Sequence, residues 1–499
     1  MTLFCRIFAA AIFGLLSLQV GLAELPTKPS LDCTPNGNRF DLESLTDAAL
    51  QSQYAENVAV IVGGGSNGDD LVVGGALDER FLNQEILYNG FYSPTYYVER
   101  ANSVCAADFE GGLPLIEGVF IPFGAPVPAA DAAHGAFFLG TISNNGFDTA
   151  VSLAKSTTAT LQSPSSCPSG TQSSPATCWP IVSLANVTTS DVQNVALAVD
   201  QRISGTGAGD VYVAATTYLS DSTNSQITLS ACTNLNLACS SAVVASGSDL
   251  NTQYASVQVQ PGGGITIAYE NVVVPFGEVQ FKFVNCTPRG APNPPTCSAP
   301  TLVIAEPNPV WGTPGAINAI FPQMPYHVDR LESNGNITSF LIYDQCAVAQ
   351  IGDYFCPKAQ IVLTFSTDGG STWSPLQIVG PATGQQFLGS IALDVSTGTV
   401  NIAYFSSQND VLQIQTQVFL AQVLPSQTSV QPPQQITTTL YDGPYGYLGG
   451  ETDLSVAAGG TGNTGQSRVY IHFTDSVAQG VYNDQSFRIY HNTLTRFEY

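Results

Sequence analysis

Charged side chains are scarce in this 499-residue chain: they make up 10%, and only 14 of them are Lys or Arg. So few cations assemble no basic stripe, which excludes nucleic-acid binding. The formal net charge is −24. A field of that sign repels anionic ligands unless a local arginine cluster overrides it. The four histidines, His134, His327, His472 and His491, lack metal-ligand spacing, so no metal and no other cofactor is expected. Long runs of Ala, Glu, Lys and Leu are missing, which argues against a helical fold. GGGSNGDD at Gly63–Asp70 lacks a Gly-Lys-Ser/Thr ending and reads as a strand connection rather than a phosphate loop. No Ser-His-Asp arrangement stands out.

What is present points to strands. Hydrophobic residues reach 44%, too many for a disordered chain. Short apolar stretches are separated by Gly, Ser, Asn, Asp and Pro, the pattern of many short strands joined by turns. The one long apolar run, Ile7 to Val20, follows Arg6 and ends at Gly21-Leu22-Ala23, which offers small residues at −3 and −1. Residues 1–23 therefore read as a signal peptide cleaved before Glu24. The run is short for a membrane anchor, and no other stretch could span a bilayer. Cys5 precedes the run, so bacterial lipidation is not expected there. The mature chain is expected to be secreted or extracytoplasmic.

A repeat runs along residues 57–499: a polar residue, an apolar strand, a Gly-rich turn and a second apolar strand. Its copies start at Asn57-Val58, His134-Gly135, Asn194-Val195, Ser256-Val257, His327-Val328, Ser390-Ile391 and Asp453-Leu454. Most intervals are roughly 60 to 63 residues and two are longer, room for about four short strands per copy. That is the size of one propeller blade. The expected fold is all-β, a single β-propeller of four-stranded antiparallel blades. Seven copies predict seven blades; six, with one copy degenerate, is the alternative. The last copy has about 45 residues after Leu454, short of a blade. Residues 24–56 form an N-terminal strap expected to supply the missing strand and close the ring.

STDGGSTW follows the apolar strand Ile361–Phe365 and precedes SPLQIV, which places it on a hairpin turn. Asp368 can accept N–H groups of the turn, Gly370 permits a positive φ, and Trp373 covers the apolar side of the hairpin. With Ser366, Asp368, Gly370, Thr372 and Trp373 in place, the stretch matches the Asp-box pattern Ser-x-Asp-x-Gly-x-Thr-Trp. The chain thus resembles the Asp-box, or BNR-repeat, β-propellers of the sialidase superfamily over roughly residues 57–499, with one box intact. The resemblance implies that the box is structural and lies away from the active-site face.

Removing Cys5 leaves ten cysteines. They fall into the local pairs Cys167/Cys178, Cys232/Cys239, Cys286/Cys297 and Cys346/Cys356, with Cys33 and Cys105 pairing by elimination. Their spacings are not CxxC and no His lies nearby, so disulfides are expected rather than a metal site. Overlaying the repeats puts Cys167/Cys178, Cys232/Cys239 and Cys286/Cys297 where another copy carries the Asp box.

Propellers bind ligands at the channel end where the innermost strands begin. Here that ring is Asn57, His134, Asn194, Ser256, His327, Ser390 and Asp453. Such polar groups suit a neutral, hydroxyl-rich ligand such as a glycan, and are equally what strand ends facing a wet channel require. The sialidase resemblance implies three arginines clasping a carboxylate, a Tyr–Glu nucleophile pair and an Asp acid/base. Arg80, Arg330 and Arg468 are the arginine candidates, and Tyr445, Tyr447 and Glu451 in YGYLGGETDL the nucleophile candidates. Asp69 and Asp70 could supply an acid. The Phe/Tyr-Arg-Ile-Pro motif of catalytic sialidases is absent: FIPFG at Phe120–Gly124 lacks the arginine. Another glycosidase would need two carboxylates about 5–10 Å apart, for which Glu451, Asp453, Asp329, Glu332 and Asp344 are candidates. Sequons stand at Asn186, Asn285 and Asn336. The expected function is a non-catalytic module that binds a glycan or an extracellular protein; the alternative is a glycoside hydrolase acting at the channel mouth.

Overall fold

The computed structural model describes residues 29–31, 40–41, 53–65, 68, 70–78, 93–99, 109–113, 120–124, 126–163, 166–167, 175–220, 224–273, 278–307, 324–347, 358–381, 383–411, 415–437, 441–442, 454–460, 467–482 and 485–498. Arg80, Tyr445, Tyr447, Glu451, Asp453, Cys33, Cys105 and Cys356 lie outside them. Among the described residues the strands gather in seven antiparallel sheets, with two single-turn helices, Thr158–Leu161 and Pro175–Cys178. No helix among them is long and apolar enough to cross a membrane.

Each sheet opens on an inner strand. In chain order these are Gln53–Ile61, Val127–Asp131, Val192–Val199, Thr252–Val259, Tyr326–Leu331, Gln386–Asp394 and Leu454–Gly460. Each packs beside the next, and Leu454–Gly460 packs beside Gln53–Ile61, so the succession returns on itself. This is the architecture of a β-propeller. In the last sheet Leu454–Gly460 pairs with Ser467–Tyr482, and that strand with Gln485–Glu498. The outer edge of Gln485–Glu498 is taken by two N-terminal strands: Pro29 stands opposite Phe497 and Phe40 opposite Leu494.

The middle strands are covered on both faces by neighbouring sheets, so they read as continuous apolar runs rather than alternating ones. Thr399–Ser406 is buried at every position. Between the fifth and sixth sheets Phe340, Ile342, Ile361 and Leu363 meet Ile402, Tyr404, Phe419 and Ala421. Each large side chain buried there stabilises by about 1.5–3 kcal/mol.

The inner strands carry a recurrent β-bulge. Their register shifts between Gln193 and Ala196, Gln253 and Ser256, and Phe387 and Ser390. Asn194, Tyr254 and Leu388 sit there with φ of 49°, 53° and 51°. Bulges of this kind bend a strand and leave backbone groups off the ladder.

Two expectations need correction. Inner strands begin ahead of the repeat copies: at Gln53, Thr252 and Gln386, four residues before Asn57, Ser256 and Ser390, at Val192, two before Asn194, and at Tyr326, one before His327. The second inner strand is Val127–Asp131, so His134 does not start a strand: it lies in the turn between Val127–Asp131 and Ala136–Asn144. The reason is that His134 forms an Asx-type turn on the strand end, where Asp131 Oδ1 accepts its backbone N–H at 3.1 Å.

Candidate functional site

The two ends of the sheets differ. One carries the inner-strand starts; the other, the turn end, carries the turns that leave the inner strands and those that join third to fourth strands. STDGGSTW joins the third and fourth strands of its sheet, Ala359–Ser366 and Gln377–Ile378, and so lies at the turn end. Asp368 Oδ1 accepts the N–H groups of Ser371 (3.1 Å) and Thr372 (2.9 Å), and Oδ2 the Thr372 hydroxyl (2.6 Å). Those donors, the Thr372 hydroxyl first, hold its carboxyl down to about 2. Gly370 has φ +84°, and a Cβ there would meet Phe283 of the fourth sheet at 2.4 Å. Trp373 was expected to cover its own hairpin. Its Nε1–H donates to Gly370 O of that turn at 3.3 Å, and its ring also packs edge-on against Phe283 of the neighbouring sheet, centroids 5.3 Å apart. Disulfides Cys167–Cys178, Cys232–Cys239 and Cys286–Cys297 occupy the same connection in the second, third and fourth sheets. Cys346 is disulfide-bonded too, at the other end of its sheet.

The strand-start ring is largely engaged between sheets. Ser256 Oγ and His327 Nδ1 are 2.9 Å apart, and His327 Nε2 stands 2.9 Å from Thr266 Oγ1. The Thr266 hydroxyl donates to Asp329 Oδ2 at 2.5 Å, and Ser339 donates to Asp329 Oδ1. With that proton committed, Thr266 can only accept from His327, so Nε2 carries the imidazole hydrogen and Nδ1 accepts from Ser256. Burial pushes the imidazole down to about 4, against the pull of Asp329, so it stays neutral. Ser390 Oγ accepts from the Val456 N–H at 3.2 Å, and Asn57 Nδ2 reaches Pro126 O at 3.5 Å. These contacts join the fourth sheet to the fifth, the sixth to the seventh and the first to the second. Asn194 sits at the bulge of its strand.

The two described arginine candidates, Arg330 and Arg468, do not converge. Arg330 is 2% exposed, at the turn end. Its guanidinium donates to Glu332 Oε1 (2.8 Å), Leu424 O (3.0 Å) and Gln427 O (2.6 Å), and lies over the Phe340 ring, which pins the fifth sheet to the sixth. Arg468 Nη1 donates to Asp70 Oδ1 at 2.6 Å, and the Tyr470 hydroxyl donates to Asp70 Oδ2. That latch joins the last sheet to the first, also at the turn end. Asp70, an acid candidate by sequence, is fully buried in it.

Of the groups at the strand-start end, Asp344 is a carboxylate candidate by sequence, whereas Tyr343, Glu306, Tyr269 and Asp249 escape the sequence reading. Asp344 Oδ2 accepts the Leu388 N–H at 2.7 Å and Oδ1 that of Gly389 at 3.3 Å, both released by the bulge of the sixth sheet's inner strand. Burial pushes its carboxyl up to about 7, against those two N–H groups. The Tyr343 hydroxyl donates to Glu306 at 2.8 Å and that of Tyr269 to Asp249 at 2.7 Å. Burial raises both phenols above their ordinary value, Tyr343 with the Glu306 charge next and Tyr269 with its Asp249 hydrogen bond next. A signal for these pairs existed: Tyr recurs at one position of the second strands, in ITIAYE, FLIYD and NIAYF. Among the described residues no cluster of three or more His, Cys, Asp or Glu could hold a metal.

No family model and no curated protein matches the sequence. Among solved structures, the chain is similar to the Hadza microbial sialidase Hz136, at 9% identity over 82% of this chain and 74% of that one, with a TM-score of 0.43. It is also similar to a polysaccharide lyase, at 11% identity over 92% and 96% of the two chains, with a TM-score of 0.42. An alpha-L-arabinanase from Penicillium chrysogenum, complexed with arabinobiose, matches at 8% identity over 61% and 92%, with a TM-score of 0.37. Likenesses of this size carry no argument, and the architecture rests on the sheet pairings themselves.

Proposed function

We propose that this chain is a secreted propeller of seven blades, closed by its N-terminal strap, that binds a glycan or an extracellular protein at the strand-start end without turning it over. The observation that supports this reading is where Arg330 and Arg468 go. Each is tied to carboxylate or carbonyl partners at a different junction between sheets, at the turn end. Neither is left to clasp a carboxylate at the strand-start end. A neutral, hydroxyl-rich ligand suits a chain of net charge −24, because it pays no electrostatic penalty on approach. Asp453 is the ring position proposed to contact the ligand, and Tyr447 and Glu451, just before it in sequence, are the candidates that turnover would need.

The test is a screen of fluorogenic sialosides, arabinofuranosides and neutral glycosides beside a glycan array. Array binding without turnover, weakened in Asp453→Ala, is the expected result. Turnover that disappears in Glu451→Gln would overturn the non-catalytic reading.

A further inference from the structure

Three sequons run through the chain, and their amides meet different fates. Asn186 Nδ2 donates both of its hydrogens, to Thr217 Oγ1 at 2.8 Å and Thr228 Oγ1 at 3.0 Å. It has a left-handed φ of 50°, and Thr228 beneath it is buried. Asn285 Nδ2 donates to Gly369 O, in the STDGGSTW turn of the next sheet, at 2.8 Å. It stands in the ladder opposite Thr266 and precedes the bonded Cys286. Asn336 is different. It is exposed in the hairpin turn between Tyr326–Leu331 and Ile337–Cys346. The turn is closed by Glu332 N–H donating to Asn336 O at 2.8 Å, a main-chain bond that leaves the side-chain amide outside. Gly335 beside it, with φ +84°, has open space where a Cβ would stand. Thr338 supplies the hydroxyl residue of the sequon.

We propose that Asn336 is an N-glycan attachment site of this protein, and that Asn186 is not one. The inference rests on the secreted reading above. In the transfer, the Asn336 amide nitrogen forms a C–N bond to the anomeric carbon of a lipid-diphosphate-linked oligosaccharide. The lipid diphosphate leaves with the electron pair, and the amide gives up one proton. One N–H remains, which an exposed amide tolerates. At Asn186 the same step would remove a hydrogen committed to Thr217 or Thr228 and place a sugar against the buried Thr228. A chain so modified before folding would lose that contact and fail to leave the cell. The Asn336 turn lies at the turn end, beside STDGGSTW. A glycan there shields that end and leaves the strand-start end open for the proposed ligand.

The experiment is secretion of the full chain from a eukaryotic host, with its own leader in one arm and a heterologous leader in the other. Glycosidase release in heavy-oxygen water then tags each formerly modified Asn for peptide mapping of secreted and intracellular fractions. The expected result is a tag at Asn336 in secreted protein, with a mass step lost in Asn336→Gln and kept in Asn186→Gln and Asn285→Gln. An unmodified Asn336 in both fractions, or a tag at Asn186 in secreted protein, would overturn the proposal. A tagged Asn336 obtained with the heterologous leader alone sinks the leader reading and leaves the site standing.

Discussion

Asp368 and Asp344 are both carboxylates that accept backbone N–H groups, yet their titrations shift in opposite directions. Asp368 is in water and gains donors, so its folded value falls below the ordinary 3.8 to about 2. The stability it contributes is full above pH 3.8 and is lost as pH falls through about 2. Asp368→Ala is expected to lower the thermal midpoint at pH 6, with the gap between variant and wild type closing towards pH 2. A gap that stays constant over that range would remove the charge from the explanation. Asp344 is buried, and its folded value rises to about 7. There the folded state keeps a proton that the unfolded chain releases near 3.8, so stability declines as pH climbs from about 4 to about 7 and is lowest above. Asp344→Asn, neutral at every pH, is expected to flatten this decline in urea midpoints taken at pH 5 and 8. An equal decline in both proteins would assign the slope elsewhere. Asp344 was not legible as a bulge cap, because its N–H partners lie 44 and 45 residues away.

At the scale of elements, the junction between the fourth and fifth sheets is held by a hydrogen-bonded chain, Ser256–His327–Thr266–Asp329. The folded value of His327, about 4, lies below the ordinary 6.5. Between those two values the unfolded chain binds a proton that the folded chain refuses, so stability falls as pH drops through that window. The fully buried His472, pushed down to about 3 chiefly by its burial, adds a loss of the same sign. His327→Gln is expected to be less stable at pH 7 and to lose less between pH 6.5 and 4, read as the change in urea midpoint. A wild-type slope retained in the variant would rule out His327 as its source. The outer hairpins are a different kind of fastener. Removing Cys286–Cys297 as a paired Cys→Ser variant opens a short loop and should cost about 2–3 kcal/mol. Denaturant melts of oxidised wild type and variant read that cost directly; superimposable curves would mean that Asn285 and Thr301, bonded to the adjacent turn at Gly369 and Gly370, hold the hairpin by themselves.

For the whole molecule, the last sheet is tied to the N-terminal part of the chain through two separate devices. Outside, Pro29–Leu31 and Phe40–Asp41 pair with Gln485–Glu498; inside, Asp70 holds Arg468 and Tyr470. Deleting residues 24–50 exposes a strand edge, and Asp70→Asn leaves the half-buried Arg468 guanidinium short of its charge partner. Each is expected to lower the thermal midpoint, and the pair to lower it more than either. An unchanged midpoint in the deletion would show that the strap closes nothing. The sequence by itself determined the sheets and the outer fasteners. Apolar periodicity, turn residues and cysteine spacing act over a few residues, so the strand running on from Ser390, STDGGSTW and Cys286/Cys297 were all legible locally, whereas the bulge before Ser390 was not. Only the tertiary structure decided what the polar residues do. A copy aligned on His134 is indistinguishable in pattern from one aligned on a strand start until Asp131 is seen capping the turn. Arg330 and Arg468 look alike as candidates for a shared site until each is found bonded across a different junction. Those partners come from sheets dozens to hundreds of residues away in the chain, and burial between sheets, not local pattern, fixes which of them is within reach.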